Sequence, residues 1–443
     1  MTVEKIAEQV LDLAQRALPG AEIEVSADAV HRALTRFANS RIHQNVAEDT
    51  VGVRLRAHLD GRTVTTTSTL TSPEGLTSLV SRTAAAVRSA PRDPGWPGLA
   101  PAAALALPGE VDEATREASP DDRAARIRDF VDAAGGLETA GYCQTGYWTG
   151  AFRNSAGQAL AASATTADMD GIARDAGAGG IADGVARRSG VALSELDGAA
   201  LGARAAGKAR AQADPVELPA GRYEVVLEPE AVADLLTNFS YFGFNAKAHQ
   251  ERRCFAEPGT QQFDEAITLY DDPREPYDAE GTPRTRLALV EKGVTTALAQ
   301  DRRTAATGGG ASTGHAGAFG AAWGPTPQNL AFAPGTATVD EMISRVTRGL
   351  LITDLWYTRV LDPRTLALTG LTRNGVWLIE DGEVTRPVRN MRFTQLYPQA
   401  LGPGAVLGVG AEAVPQPSRV FLGAWTSPAL HLASWNLTGG ASG

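Results

Sequence analysis

The spacing of apolar residues separates helical segments from strands in the first part of the chain. Residues 1–18 carry apolar side chains at helical intervals, and a second helix is predicted over residues 72–89. Between them, residues 21–70 alternate apolar and polar side chains and are rich in Val, Thr and Arg, which is typical of strands in a half-exposed sheet. Asp60-Gly61 predicts a hairpin turn within this sheet.

A change in composition marks the middle of the chain. The Pro- and Gly-rich residues 90–110 predict a linker. After it, Ser119 with an acid at Asp122 predicts the start of a helix. Strands follow, with a turn predicted at residues 154–157, and a further helix is predicted over residues 194–213.

The last region begins with a strand and a helix and is then mainly β. Turns are predicted at Asp271-Asp272-Pro273, at Asn374-Gly375 and at Asp381-Gly382. The predicted class is α+β, in which N-terminal domains of an α/β two-layer type precede a mainly β C-terminal domain. The predicted domains span residues 1–105, 110–214 and 219–443.

The helix that opens the last region raises the main functional question. In EPEAVADLLTNFSYFGFNAKAHQ, residues 228–250, one face of the predicted helix is apolar. The opposite face is polar but offers no histidine before His249. This segment is either an active-site helix without metal ligands or an ordinary packing helix. The apolar face consists of Val232, Leu235, Leu236 and Phe239, and the polar face of Asp234, Thr237, Asn238 and Ser240.

Charge and composition narrow the classes of partner and compartment. The 443 residues carry a net charge of −10, which argues against nucleic acid as a main partner because phosphate binding needs concentrated positive charge. Two distant cysteines provide no disulfide framework, which favours a reducing cytoplasm. The N-terminus is unlike a signal peptide, and no apolar run approaches the length of a membrane span, so no membrane association is expected.

The sequence contains no self-sufficient catalytic motif. No two of the six histidines lie within five residues of each other. His249, Glu251 and Cys254 are the nearest approach to a metal cluster, but a solvated helix end explains them better. Cys143 and Cys254 are predicted to be buried structural thiols, because a nucleophilic cysteine needs a nearby base. No GxSxG nucleophile motif is present.

Two polar segments have open interpretations. The glycine-rich residues 307–317 lack the lysine of a phosphate-binding loop, and either lie beside a ligand groove or simply connect two elements. Asp271, Asp272 and Asp278 form an acidic group along the sequence. They are expected to start a turn, and general acid or base work would need a raised pKa.

Several stretches, in order along the chain, resemble the TldD/PmbA family. The resemblance covers most of the sequence, and no single motif decides it. The stretches are TRFANSRIHQNVAEDTVGVRLRA, LPAGRYEVVLEPEAVADLL, TLYDDP with YDAEGTPRTRLALVEKGV, ASTGHAG with GPTPQNLAFAPG, GLLITDLWYT, and LTGLTRNGVWLIEDGEVTRPVRNM.

The resemblance implies a zinc peptidase built from two related subunits. TldD-type members carry HExxxH on the helix after the first strand of the C-terminal domain, and a later cysteine completes the zinc site. PmbA-type (TldE) members lack these ligands. In this chain LLTNFSYFGFNA occupies the HExxxH segment, and no cysteine follows Cys254. The resemblance therefore implies the zinc-less subunit, with zinc held by an HExxxH-bearing partner.

The expected role is to close a chamber and to help bind an extended or unfolded peptide. Asn238, Ser312, Thr313 and Asn374 are the candidate peptide-binding residues, although a capping or turn role is the better explanation of each. No catalytic or metal-binding residue is assigned to this chain. The isolated chain could form a homodimer. Two alternatives stay open, a stand-alone binding or regulatory protein and an independent hydrolase that uses Cys254 or an unrecognised site.

Overall fold

Two β-sheets organise the part of the chain that the structure, a computed structural model, describes. Those residues are 1–177, 182–317, 320–418 and 423–440. The first sheet has six strands and the second has eleven. Helices pack on both sheets, and this mixed architecture confirms the predicted α+β class.

The first sheet is antiparallel throughout, in the order β3-β2-β1-β4-β5-β6. Helices α1 and α2 cover β1 and β2, while α4 and α5 cover the half formed by β4–β6. Its strands are β1 Glu22–Ala38, β2 Arg41–Leu59, β3 Arg62–Ser68, β4 Glu138–Asn154, β5 Ala159–Asp175 and β6 Ala182–Gly190. Its helices are α1 Val3–Ala17, α2 Pro73–Ser89, α3 Glu113–Arg116, α4 Pro120–Ala133 and α5 Gly198–Arg210, with a 3-10 turn at Leu193–Glu195.

The two predicted N-terminal units share this sheet. β1 pairs with β4 from Glu24 opposite Asn154 to Phe37 opposite Gly141. The predicted domain bounds stay predictions, but hydrogen bonds cross between the first two units along the whole length of these strands.

Local signals in this half are confirmed. The Ser119 side chain accepts a hydrogen bond from the backbone N–H of Asp122, whose carboxylate accepts from the Ser119 N–H, so α4 starts with a capping box. Asp60 and Gly61, with φ of 51° and 73°, turn the chain from β2 to β3. A turn also joins β4 to β5 at the predicted residues 154–157.

The second sheet contains both antiparallel and parallel pairs. β7 lies between β12, to which it is parallel, and β17, to which it is antiparallel. The strands are β7 Gly221–Leu227, β8 Leu269–Asp271, β9 Leu287–Glu291, β10 Val294–Thr295, β11 Leu330–Phe332, β12 Arg348–Asp362, β13 Ala367–Glu380, β14 Glu383–Pro387, β15 Met391–Leu396, β16 Val406–Pro417 and β17 Ala424–Gly440. The helices are α6 Pro229–Phe242, α7 Ala246–Gln250, α8 Arg302–Gly308, α9 Gly320–Trp323, α10 Val339–Ile343 and α11 Tyr397–Ala400.

Helix α6 packs its apolar face into the largest hydrophobic core, as predicted. Val232, Leu235, Leu236 and Phe239 are all fully buried. The ring of Phe239 lies within 6.5 Å of five other aromatic rings, measured between centroids. The predicted burial of this apolar face is therefore confirmed. Any role of α6 in binding or catalysis must depend on its opposite, polar face.

The turn predicted at Asn374-Gly375 is wrong, because both residues lie inside β13. They have φ of 58° and 130°, and together they face the single residue Thr353 between the pairs Ile352–Val376 and Asp354–Arg373. This is a β-bulge. Asn and Gly adopt positive φ more readily than other residues, and both a bulge and a tight turn need such residues. Asp381-Gly382 does form the predicted turn, between β13 and β14.

None of the helices in the described residues is both long enough and apolar enough to cross a membrane.

Candidate functional site

A groove of about 510 Å³ runs along the polar face of α6. We call it the α6 groove. Its walls are α6 itself, residues 356–360 of β12, the ends of β16 and β17, and Arg187 from β6 of the first sheet. Among the described residues that line it, none is histidine or cysteine.

The polar face of α6 is held by bonds within the protein. Asn238 donates from Nδ2 to the Asp234 carbonyl oxygen at 2.9 Å and to its Oδ2 at 3.3 Å. The same Oδ2 accepts from the hydroxyls of Thr358 at 2.8 Å and Tyr397 at 3.1 Å. Asn238 thus lines the groove, where it tethers an adjacent carboxylate rather than capping a helix.

A buried ion pair joins the two sheets at one end of the groove. Arg187 donates from Nε to Asp170 at 2.8 Å and from Nη2 to Asp354 at 2.9 Å. Burial alone would lower the pKa of Arg187, but the carboxylates of Asp170 and Asp354 outweigh it and hold the pKa above its ordinary value. Asn374 donates to Asp354 Oδ2 at 3.0 Å, so the β13 bulge holds this carboxylate in place.

A second charged group lies at the start of α6. Glu228 forms an ion pair with Lys208 at 2.9 Å and accepts from Arg204 at 3.5 Å, while Glu230 accepts from Arg204 at 2.9 Å. Burial would raise the pKa of Glu228, but Lys208 and Arg204 outweigh it and lower the pKa to about 2. Helix α5, which carries both cations, therefore holds the first turn of α6 electrostatically.

The other two candidate peptide-binding residues lie outside the α6 groove. Ser312 donates to the carbonyl oxygen of Gln300 at 3.1 Å. Thr313 accepts from the Gln300 backbone N–H at 2.8 Å and bonds to His315 Nδ1 at 2.8 Å. In the structure these two side chains fix a loop. Asn238 lines the groove, whereas Asn374 does not and donates to Asp354, the partner of the lining residue Arg187.

The residues considered as a metal cluster or as nucleophiles are engaged in structural contacts. His249 Nδ1 bonds to the Ala256 carbonyl oxygen at 3.0 Å, and the buried thiol of Cys254 donates to the Gly243 carbonyl oxygen. Burial raises the pKa of Cys254 and raises that of Cys143 to about 12, so both thiols stay protonated. Among the described residues, no group of three His, Cys, Asp or Glu side chains could hold a metal ion.

The predicted acidic group separates into three different environments. Asp271 is buried and accepts from Arg284, His315 and the Asn329 N–H. Burial would raise its pKa, but these partners lower it to about 2. Asp272 lies at the surface in an ion pair with Arg286.

Asp278 is the one aspartate of this group with a raised pKa. It lines a second cavity, of about 770 Å³, between the first sheet and residues 275–284. Burial and the charge of Glu280 raise its pKa to about 7, although three backbone N–H groups donate to its carboxylate. The sequence offered no signal for this shift, because it depends on burial by distant segments.

Family models match two parts of the chain. The PmbA/TldA metallopeptidase C-terminal domain matches residues 220–439, and PmbA/TldA metallopeptidase domain 1 matches residues 24–90. A curated protein named metalloprotease, from Methanothermobacter thermautotrophicus, is 26% identical over 188 residues. That match spans 40% of this chain and only 40% of the relative.

Solved structures match the whole fold. The crystal structure of TldE from Thermococcus kodakarensis has a TM-score of 0.86 at 18% identity, covering 98% of this chain and 100% of that one. A proposed modulator of a DNA gyrase from Thermotoga maritima has a TM-score of 0.83 at 18% identity, covering 99% and 100%. At this identity these structures show the fold alone.

Proposed function

The chain belongs to the PmbA/TldD metallopeptidase family, and from that premise we propose that it is the zinc-less, TldE-type subunit of a heterodimeric metallopeptidase. Such an enzyme would degrade unfolded peptides or trim modified peptide precursors in the cytoplasm. In this proposal the chain carries no catalytic residue. Its HExxxH-bearing paralogue supplies the zinc and the activated water, and this chain supplies part of the chamber and of the peptide site.

The chemistry of the α6 groove is the observation that supports this proposal. Helix α6 occupies the place that the family resemblance assigns to the zinc helix. A catalytic zinc site needs about three protein ligands, drawn from His, Cys, Asp and Glu. The described residues that line the groove include two carboxylates, Glu230 and Asp234, and no histidine or cysteine. Asp234 already accepts from Thr358, Tyr397 and Asn238 through one oxygen. The residues present therefore do not fit a catalytic zinc.

Exposed apolar side chains near the groove support the proposed partnership. Trp356, Tyr357 and Leu361 on β12 are 40%, 63% and 59% exposed. Clustered exposed apolar side chains are typical of surfaces that bind another protein. We expect this part of β12 to contact the HExxxH-bearing subunit.

The test is reconstitution from separately purified chains. Mixing this protein with its HExxxH-bearing paralogue should produce peptidase activity that neither chain shows alone. Metal analysis of this chain by itself should find no stoichiometric zinc. Replacing the histidines of the partner's HExxxH helix should abolish activity, whereas Asn238→Ala in this chain should reduce it without abolishing it, because Asn238 neither holds the metal nor activates water.

Three results would overturn the proposal. The first is a paralogue that is fully active without this chain, and the second is the absence of a complex at micromolar concentrations. Either would favour a stand-alone binding protein. The third is one tightly held zinc per isolated chain together with peptidase activity, which would favour an independent hydrolase.

A further inference from the structure

Four buried polar atoms at the α6 groove have no hydrogen-bond partner in the protein. They belong to three side chains that are each only 1% exposed, and all three side chains line the groove. Buried polar groups almost always have partners, because leaving one unpaired costs free energy. Three such side chains in one groove therefore indicate a ligand. The atoms are Oε1 of Glu230, Nε2 and Oε1 of Gln416, and Nε1 of Trp425.

The strand register explains why these groups lie together. Gln416 of β16 and Trp425 of β17 are directly opposite each other, so their side chains project from the same face of the sheet. Glu230 comes from the first turn of α6, and its other oxygen accepts from Arg204 at 2.9 Å. Neighbouring elements thus place one buried amide, one buried indole N–H and one buried carboxylate oxygen in the wall of the same groove.

The hydrogen-bonding pattern matches a peptide main chain. The Gln416 side chain offers one donor and one acceptor, which complement the C=O and N–H of a single peptide group. Trp425 adds a donor for a further carbonyl, and Glu230 adds an acceptor for a further N–H or for a terminal ammonium group. A volume of about 510 Å³ is suited to a short segment of chain.

The charges of the groove argue against an anionic ligand. The guanidinium of Arg187 already donates to the carboxylates of Asp170 and Asp354. Glu230 presents an unpaired carboxylate oxygen to the same space. Arg359, the other arginine among the described lining residues, is exposed and stacks over the Tyr357 ring. A phosphate or carboxylate bound at the three buried side chains would therefore meet the Glu230 oxygen without gaining a free cation at Arg187. A neutral or N-terminal peptide segment would not be repelled by that oxygen.

We infer that the α6 groove of this subunit is itself a peptide-binding site, in which Gln416 reads one peptide group and Trp425 and Glu230 bind its neighbours. The inference rests on the proposed function in one respect, namely that the family's complex handles peptides. It goes further in assigning main-chain recognition to named residues of the zinc-less chain, which would bind peptide without cleaving it.

A matched pair of glutamines separates a ligand-binding role from a structural one. Gln395 is also buried, at 3% exposure, but it is fully engaged, because it donates to the Leu396 carbonyl oxygen and accepts from the Asn436 N–H. Gln395→Leu should therefore lower the melting temperature and leave peptide binding unchanged. Gln416→Leu removes an amide without partners, so it should leave the melting temperature unchanged or raise it, while weakening peptide binding.

The measurement is the fluorescence anisotropy of a labelled, capped, uncharged hexapeptide of alanine and serine, titrated with the isolated full chain. Gln416→Leu should raise the Kd about tenfold or more, the effect of losing one or two neutral hydrogen bonds. N-methylation of the central peptide groups of the probe, which removes N–H donors, should weaken binding to the wild type. The methylated and unmethylated probes should then bind Gln416→Leu with more similar affinity.

Three results would overturn the inference: no binding of the probe by the wild-type chain, equal binding by wild type and Gln416→Leu, or a fall in the melting temperature of Gln416→Leu as large as that of Gln395→Leu. Reconstitution with the paralogue distinguishes this failure from failure of the proposed function. Activity on mixing without peptide binding by this chain overturns only the groove assignment. Peptide binding without activity on mixing overturns only the subunit assignment.

Discussion

Replacing Arg187 by methionine should destabilise the protein far more than the same change at an exposed arginine. Arg187 belongs to β6 of the first sheet, and Asp354 belongs to β12 of the second. The side chains of Arg187 and Asp354 are 7% and 0% exposed. The change would remove the Arg187 guanidinium from the buried carboxylate of Asp354 and from that of Asp170.

Removing one partner of a buried ion pair costs about 3–5 kcal/mol. A unit charge pair about 4 Å apart at an effective dielectric constant of 20 gives a comparable ~4 kcal/mol. Methionine keeps much of the buried volume, so most of the loss would be electrostatic. Arg286 is the matched control. Like Arg187 it donates through Nε and Nη2, but both bonds go to Asp272, and the side chains of Arg286 and Asp272 are 59% and 47% exposed. Arg286→Met should cost less than about 1 kcal/mol.

The free energy of unfolding should be measured in urea rather than in guanidinium chloride, which would screen the ion pair. Adding Asp354→Asn to Arg187→Met should recover part of the loss, because a neutral amide then replaces the carboxylate that has lost the Arg187 guanidinium, and this amide can still accept from Asn374. The reasoning is refuted if Arg187→Met costs no more than Arg286→Met, or if the double variant is less stable than Arg187→Met alone.

Two further predictions concern the core and the second cavity. Leu236→Ala should lower the free energy of unfolding by about 2–5 kcal/mol, because Leu236 is fully buried; a urea titration showing a loss below about 1 kcal/mol would contradict this. Asp278 has a folded-state pKa of about 7 against an ordinary value of 3.8, so its stabilising contribution is complete below pH 3.8 and is lost as the pH rises through 7. Asp278→Asn should remove this decline from the urea midpoints measured between pH 4 and 7, and an unchanged pH profile would rule the assignment out.

Features that depend only on residues close together in the sequence are predictable from it. The apolar face of α6 follows from helical spacing, and the start of α4 follows from Ser119 and Asp122. Asn374-Gly375 was mistaken for a turn because a turn and a bulge both need positive φ. Only the pairing of β12 with β13 distinguishes the two.

The candidate site was predictable only in part. Asn238 could be placed on the polar face of α6, because the spacing of its apolar neighbours defines the opposite face. Arg187, Gln416 and Trp425 reach the same groove from separate strands, and no local pattern marks them. Ser312 and Thr313 are polar residues of a glycine-rich loop, and their bonds to Gln300 hold that loop rather than line the groove.

The position of β17 within the second sheet bears on the order in which the protein folds during synthesis. All six strands of the first sheet precede residue 191, so that sheet can form while the rest of the chain is still on the ribosome. The second sheet must wait, because β17 pairs with β7, β11, β15 and β16. Until β17 emerges, β7 has an open edge and the nascent domain is exposed to premature association with other chains. Chaperone dependence should therefore concentrate in the second half of the chain.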